Sequence, residues 1–108
     1  MKDGIYRVVF ENHLFSVGEG IVVVNGSRVY GGDIAFTCRG ILTSSTVRLC
    51  ITQFDVEIPS MLEMEDDYTL LMTYESIEDG EYNFNGHVEN FPDKKLNAHA
   101  QFLVPLLP

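Results

Sequence analysis

A chain of 108 residues with sixteen acidic and seven basic side chains, net charge −9 at pH 7, has room for one domain and one core. Its 45% hydrophobic and 21% charged content is that of a folded globular protein and argues against disorder. The cations Lys2, Arg7, Arg28, Arg39, Arg48, Lys94 and Lys95 are too few and too scattered to neutralise a phosphate backbone, and the net charge opposes an anionic lipid surface, so neither nucleic acid nor membrane is an expected partner.

Attraction of a basic protein is the converse expectation. Met1-Lys2-Asp3-Gly4 leads straight into patterned sequence without a signal-type apolar stretch. No apolar run approaches the roughly 20 residues of a membrane helix. Cys38 and Cys50 make no disulfide framework. A cytoplasmic protein with reduced thiols is the expectation.

Period-two alternation governs the chain. A first strand is expected over about Gly4 to Glu11, with Tyr6, Val8 and Phe10 on one face. A second runs from about Leu14 to Val24 and carries Gly18 and Gly20, a bend or bulge signal. Asn25-Gly26 predicts a two-residue hairpin turn. The third strand covers Ser27 to Tyr30, Gly31-Gly32-Asp33 makes a bulge or corner, and the fourth spans Ile34 to Leu42. Thr43-Ser44-Ser45 is a turn, and a fifth strand follows from Thr46 to about Phe54. From Pro59 to Asp66 the alternation breaks, and Ile58, Met61 and Leu62 fall at helical spacing, which predicts a short helical turn. The sixth strand carries Tyr68, Leu70, Met72 and Tyr74; Ser76 to Gly80 is an acidic turn. The seventh covers Glu81 to Glu89, Asn90 to Lys94 is a loop, and the eighth covers Lys95 to about Leu103.

Eight short strands with tight turns imply antiparallel pairing, and closure into an up-and-down barrel removes their edges. A sandwich is the alternative.

The chain offers little chemistry. It has no G-x-S-x-G elbow and no zinc-type spacing. His87 and His99 lie on polar faces of the last two strands, either as solvent-facing groups or, with Glu89, as a mimic of a metal site. Cys38 and Cys50 flank the 43–45 turn symmetrically as possible cross-strand neighbours, either a redox pair or two small buried hydrophobes. Glu19 shares parity with Val17 and Ile21 and is either an inward ligand anchor or a carboxylate exposed by a bend. Glu57, Glu63, Glu65, Asp66 and Asp67 form the densest charge, a solvated face or a dock for a basic protein. No catalytic set, cofactor or metal is expected.

Several segments together resemble the GrlR family, negative regulators of type III secretion gene expression. They are Met1 to Tyr6, Gly18-Glu19-Gly20-Ile21, Asn25-Gly26, Gly31-Gly32-Asp33-Ile34-Ala35, Gly40-Ile41-Leu42, Glu57-Ile58-Pro59-Ser60, Asp67-Tyr68 and Pro105-Leu106. The order spans nearly the whole chain and is densest in the first 42 residues. The resemblance implies an all-β, eight-stranded antiparallel lipocalin-like barrel, here with one short helical turn. It also implies a homodimer and regulation by capture of a transcriptional activator. The family's enteric member has an acidic Glu-Asp-Glu-Asp run, tied to activator binding, where this chain has uncharged Thr43, Ser44, Ser45 and Thr46. Partner contact is therefore expected at that turn and at the acidic residues Glu63, Glu65, Asp66 and Asp67. A small carrier of apolar ligands is the competing expectation, since eight strands enclose an interior that just holds one small ligand.

Overall fold

The computed structural model describes residues 1–12, 16–58, 64 and 67–108. Its strands are β1 (Gly4–Glu11), β2 (Ser16–Asn25), β3 (Arg28–Gly32), β4 (Phe36–Leu42), β5 (Thr46–Gln53), β6 (Tyr68–Glu78), β7 (Glu81–Val88) and β8 (Phe91–Val104). Each pairs antiparallel with the next, and β8 closes back on β1. The all-β, eight-stranded barrel is thus the fold, and the sandwich is ruled out by the β1–β8 ladder. The expected helical turn over Pro59 to Asp66 lies outside the described residues, apart from Met64. Among the described residues no helix is long and apolar enough to cross a membrane.

Alternation explains which way each strand faces. In β5, Val47, Leu49 and Ile51 are buried while Thr46, Arg48 and Cys50 face outward. Large and small side chains alternate across the barrel. Ala98 and Ala100 of β8 sit opposite Phe10 and Val8 of β1 and opposite Phe84 and Tyr82 of β7. The alanines leave the room that the aromatic rings fill, which keeps the interior close-packed. No polar or charged residue is buried among the described ones, so the core carries no desolvated charge.

Sharp bending is handled by glycine at two rungs. A Cβ on Gly86 would stand 2.1 Å from the Leu71 carbonyl oxygen, and one on Gly31 would stand 2.1 Å from that of Ile21. Only a residue without a side chain permits these approaches.

Several boundaries differ from expectation. Asn25 pairs with Arg28, so the β2–β3 loop is Gly26-Ser27, one residue on from Asn25-Gly26. Gly26 takes φ 65°, the positive value a hairpin with glycine at its first loop position requires. Gly31 and Gly32 belong to β3, and the corner is made by Asp33, whose Oδ1 accepts from the amides of Ala35 (2.8 Å) and Phe36 (2.9 Å). Strand β6 runs through Ser76, Ile77 and Glu78, leaving Asp79-Gly80 as the turn. Residues 91–94 are strand, because Asn90 at φ 70° reverses the chain at Glu89-Asn90.

Candidate functional site

The antiparallel order gives the barrel two dissimilar ends. One is closed by the two-residue turns after β2, β4 and β6. The other holds the connections after β1, β3, β5 and β7.

Thr43, Ser44, Ser45 and Thr46 lie at the first end. The Thr43 amide donates to the Thr46 carbonyl (2.9 Å), so the loop proper is Ser44-Ser45. Thr43 Oγ1 accepts from the Thr46 amide (2.9 Å) and stands 2.7 Å from Thr46 Oγ1. Both threonine hydroxyls are therefore engaged in the turn, and Ser44 and Ser45 form its exposed tip. Tyr74 binds the turn to β6: its phenol donates to the Thr43 carbonyl and its amide to that of Ser45.

Asp67 lies at the opposite end, where its Oδ1 accepts from the Gln53 amide (3.3 Å) at the close of β5. Thr46 and Gln53 are the two ends of β5, so about 24 Å of strand separates the two predicted groups. The structure does not bring them together. Glu63, Glu65 and Asp66 lie outside the described residues.

Sequence reading passed over a second acidic group beside the Thr43–Thr46 turn. The β6–β7 hairpin continues past the end of β5 and exposes Glu75, Glu78 and Asp79, with Ile77 45% exposed among them. Lys2 Nζ stands 3.7 Å from Asp79 and lies over the Phe102 ring at 4.1 Å. The signal was visible as an acidic turn but carried no motif.

The chemical candidates disperse. Glu19 faces outward, opposite Val9, and its carboxylate accepts from Arg7 Nε (3.0 Å). His99 Nδ1 meets Asn83 Oδ1 at 3.0 Å and Nε2 meets Glu81 at 3.3 Å. His87 sits opposite Lys95, two rungs away beyond Asn85 and Asn97. The three do not converge, and no group of three or more metal-ligating side chains occurs among the described residues.

The cysteines are not neighbours either. Cys38 pairs with Ile51 and is buried, whereas Cys50 pairs with Arg39 and is exposed. Burial, with the Asp33 carboxylate adding to it, pushes the Cys38 thiol up to about 11. Burial likewise raises the Tyr6 phenol above its ordinary value, helped by Tyr82, while its hydroxyl donates to the Lys2 carbonyl at 2.6 Å.

Inside the barrel, the described residues leave two cavities of about 40 Å³ each, one lined by apolar side chains from Met1 to Ala100, the other reaching Asp33 and Tyr68. Each has room for about one or two waters, far below the ~300 Å³ of a small-molecule site.

What fold and surface define is a closed up-and-down β-barrel with a packed interior. Comparisons with protein-family models and with curated proteins find no match.

Proposed function

We propose that this chain is a non-catalytic regulatory protein that acts by binding another protein, in the manner of a negative regulator that sequesters a basic transcriptional activator. The observation that carries this reading is the β6–β7 hairpin. It presents Glu75, Glu78 and Asp79 beside the Thr43–Thr46 turn, where the resemblance implies an acidic partner-binding run. Acidic charge is thus supplied to that end of the barrel from a different strand pair. The packed interior supports binding by the outer surface over carriage of a ligand within. The same reading places the protein in the cytoplasm and makes it a homodimer. In its favour, Val104, Ile5, Val23 and Tyr30 form one lateral outward row, with Val104 and Tyr30 nearly half exposed.

The test is affinity capture with the wild-type chain and with a Glu75→Lys, Glu78→Lys, Asp79→Lys variant. A basic regulator retained by the wild type and lost by the variant supports the reading. Co-purification of a lipid or metabolite, with no protein retained, sinks it. Sedimentation of wild type and Tyr30→Glu reads the dimer separately, and a wild-type monomer removes that part.

A further inference from the structure

Strand β6 outruns its neighbour β5. Their ladder ends at Thr46 opposite Thr73, and the Tyr74 amide then donates to the Ser45 carbonyl (2.9 Å) as the last bond on that side. The strand continues through Glu75, Ser76, Ile77 and Glu78, about 13 Å of exposed chain that stays paired with β7 on its other side. Backbone groups alternate in direction along a strand, so Ser76, two residues past Tyr74, turns its N–H and C=O toward the side where β5 has ended. Among the described residues no backbone group reaches that side beyond Tyr74. The Ser76 hydroxyl donates to the Glu78 carbonyl (3.2 Å), which leaves the N–H and C=O of Ser76 as the free pair.

The side chains along this edge select what it can take. Glu75 pairs laterally with Asn83 and Glu78 with Glu81, so both carboxylates project on the outer face that carries His99. Among the described residues no cation comes within ion-pair reach of Glu75 or Glu78; Lys2 reaches Asp79, at 3.7 Å. Ile77, 45% exposed, lies between the two glutamates in the chain. The Ser44-Ser45 tip abuts one end of the edge, beside Tyr74. Other strands outrun their neighbours with less to offer. Strand β2 before Ile21 abuts residues 13–15, which lie outside the described ones, and β8 before Asn97 carries Pro92, which has no amide.

We infer that β6 takes an extended basic segment of a partner protein as an added strand, hydrogen-bonded to Ser76, with cationic side chains beside Glu75 and Glu78 and an apolar one against Ile77. Charge complementarity selects this occupant over a second copy of the chain. In an antiparallel pairing of two copies centred on Ser76 and Ile77, Glu75 would face Glu78, and like charges directly opposite destabilise such a pair. A nucleic acid strand would meet the same carboxylates and has no peptide backbone to pair. The inference deepens the regulatory reading and rests on it for the partner being a basic regulator; the mode of docking stands on the edge itself.

The test titrates isotope-labelled protein with an acetylated, amidated peptide of Lys-Val repeats, followed by amide shifts and amide exchange. Its Glu-Val counterpart and a Lys-Val peptide with every amide N-methylated serve as controls. Expected are shift changes confined to residues 43–46 and 74–79, with exchange of the Ser76 amide slowed. N-methylation keeps the charge and removes the donors, and should weaken binding about tenfold, as the loss of one or two backbone hydrogen bonds requires. Ser76→Pro should lose a similar factor, whereas Ser76→Ala, which keeps the amide, should bind as wild type does. Should proline disturb the hairpin, the N-methylated peptide against wild type still decides. Undiminished binding of the N-methylated peptide overturns strand addition and leaves charge-driven capture standing. Equal binding of the Glu-Val peptide, or shifts away from the hairpin, overturns the assignment of the edge. Strand addition by the peptide, with no regulator retained in affinity capture, supports the edge and removes the regulatory reading alone.

Discussion

Opposite faces for the two cysteines make their reactivities differ by orders of magnitude. Cys50 points to solvent from β5, whereas Cys38 is 6% exposed inside the barrel. Only the thiolate reacts with a disulfide reagent. Raising the Cys38 thiol from 9.0 to about 11 lowers its thiolate fraction at pH 8 about a hundredfold relative to the unfolded chain. Burial adds a second factor, because the reagent reaches the sulfur only when the sheet opens. With Ellman's reagent at pH 8, the native protein should show one rapidly reacting thiol and a second slower by at least that hundredfold. Both should react at once in guanidinium. Cys50→Ser should delete the fast phase, and Cys38→Ser should delete the slow one. Mild oxidation should give disulfide-linked pairs of chains through Cys50 and no internal disulfide. Two equally fast thiols in the native protein, or a fast phase that survives Cys50→Ser, would refute the β4–β5 register on which the argument rests.

Leu70, 1% exposed, should cost about 2–5 kcal/mol when cut to Ala in urea unfolding, and its outward neighbour Leu71 should cost well under half as much. Gly86→Ala puts a methyl 2.1 Å from a carbonyl oxygen and should destabilise by about 1–3 kcal/mol or more, whereas Gly26→Ala has open space and should lose only about 1 kcal/mol through its positive φ. Alkaline pH should weaken the fold. The Cys38 thiol keeps its proton in the folded state to higher pH than in the unfolded chain, so its contribution is whole below about pH 9 and is lost as pH rises toward about 11. That loss is on the order of 3 kcal/mol, and Cys38→Ala should flatten the unfolding free energy across this window. Tyr6 and Tyr74, both raised by burial, should continue the decline at still higher pH in wild type and Cys38→Ala alike.

The strands were legible because each buries one face, and alternation reports that directly. Turn lengths were not, and one residue of error there changes chemistry. Reading Thr43-Ser44-Ser45 as a three-residue loop sets Leu42 against Thr46 and Cys38 against Cys50. The actual loop, Ser44-Ser45, sets Leu42 against Val47 and sends the two cysteines to opposite faces. Nothing local distinguishes the two loops; the difference lies in the mutual hydrogen bonding of the Thr43 and Thr46 side chains. Similarly, Pro92 and the polar run 92–95 hid the start of β8, although proline is tolerated at an exposed position near a strand's beginning. The candidate site suffered most. Charge density along the chain drew attention to Glu63 through Asp67, while the pairing of β6 with β5 and β7 carries Glu75, Glu78 and Asp79 to the barrel end where the Thr43–Thr46 turn lies.

Closure into a barrel decides how such a molecule can recognise anything. With every strand paired on both sides through the barrel body, most backbone groups are spent, and a one-sided edge remains where a strand outruns its neighbour, as in β6 beyond Tyr74 and β2 before Ile21, so specificity falls largely to side chains on the outer face and at the ends. The hairpin carboxylates share the sign of the whole molecule, so their field adds to that of net charge −9 and steers an approaching partner once it comes within a Debye length of about 8–10 Å. Salt should therefore slow association at the hairpin while changing the lifetime of a complex already formed much less.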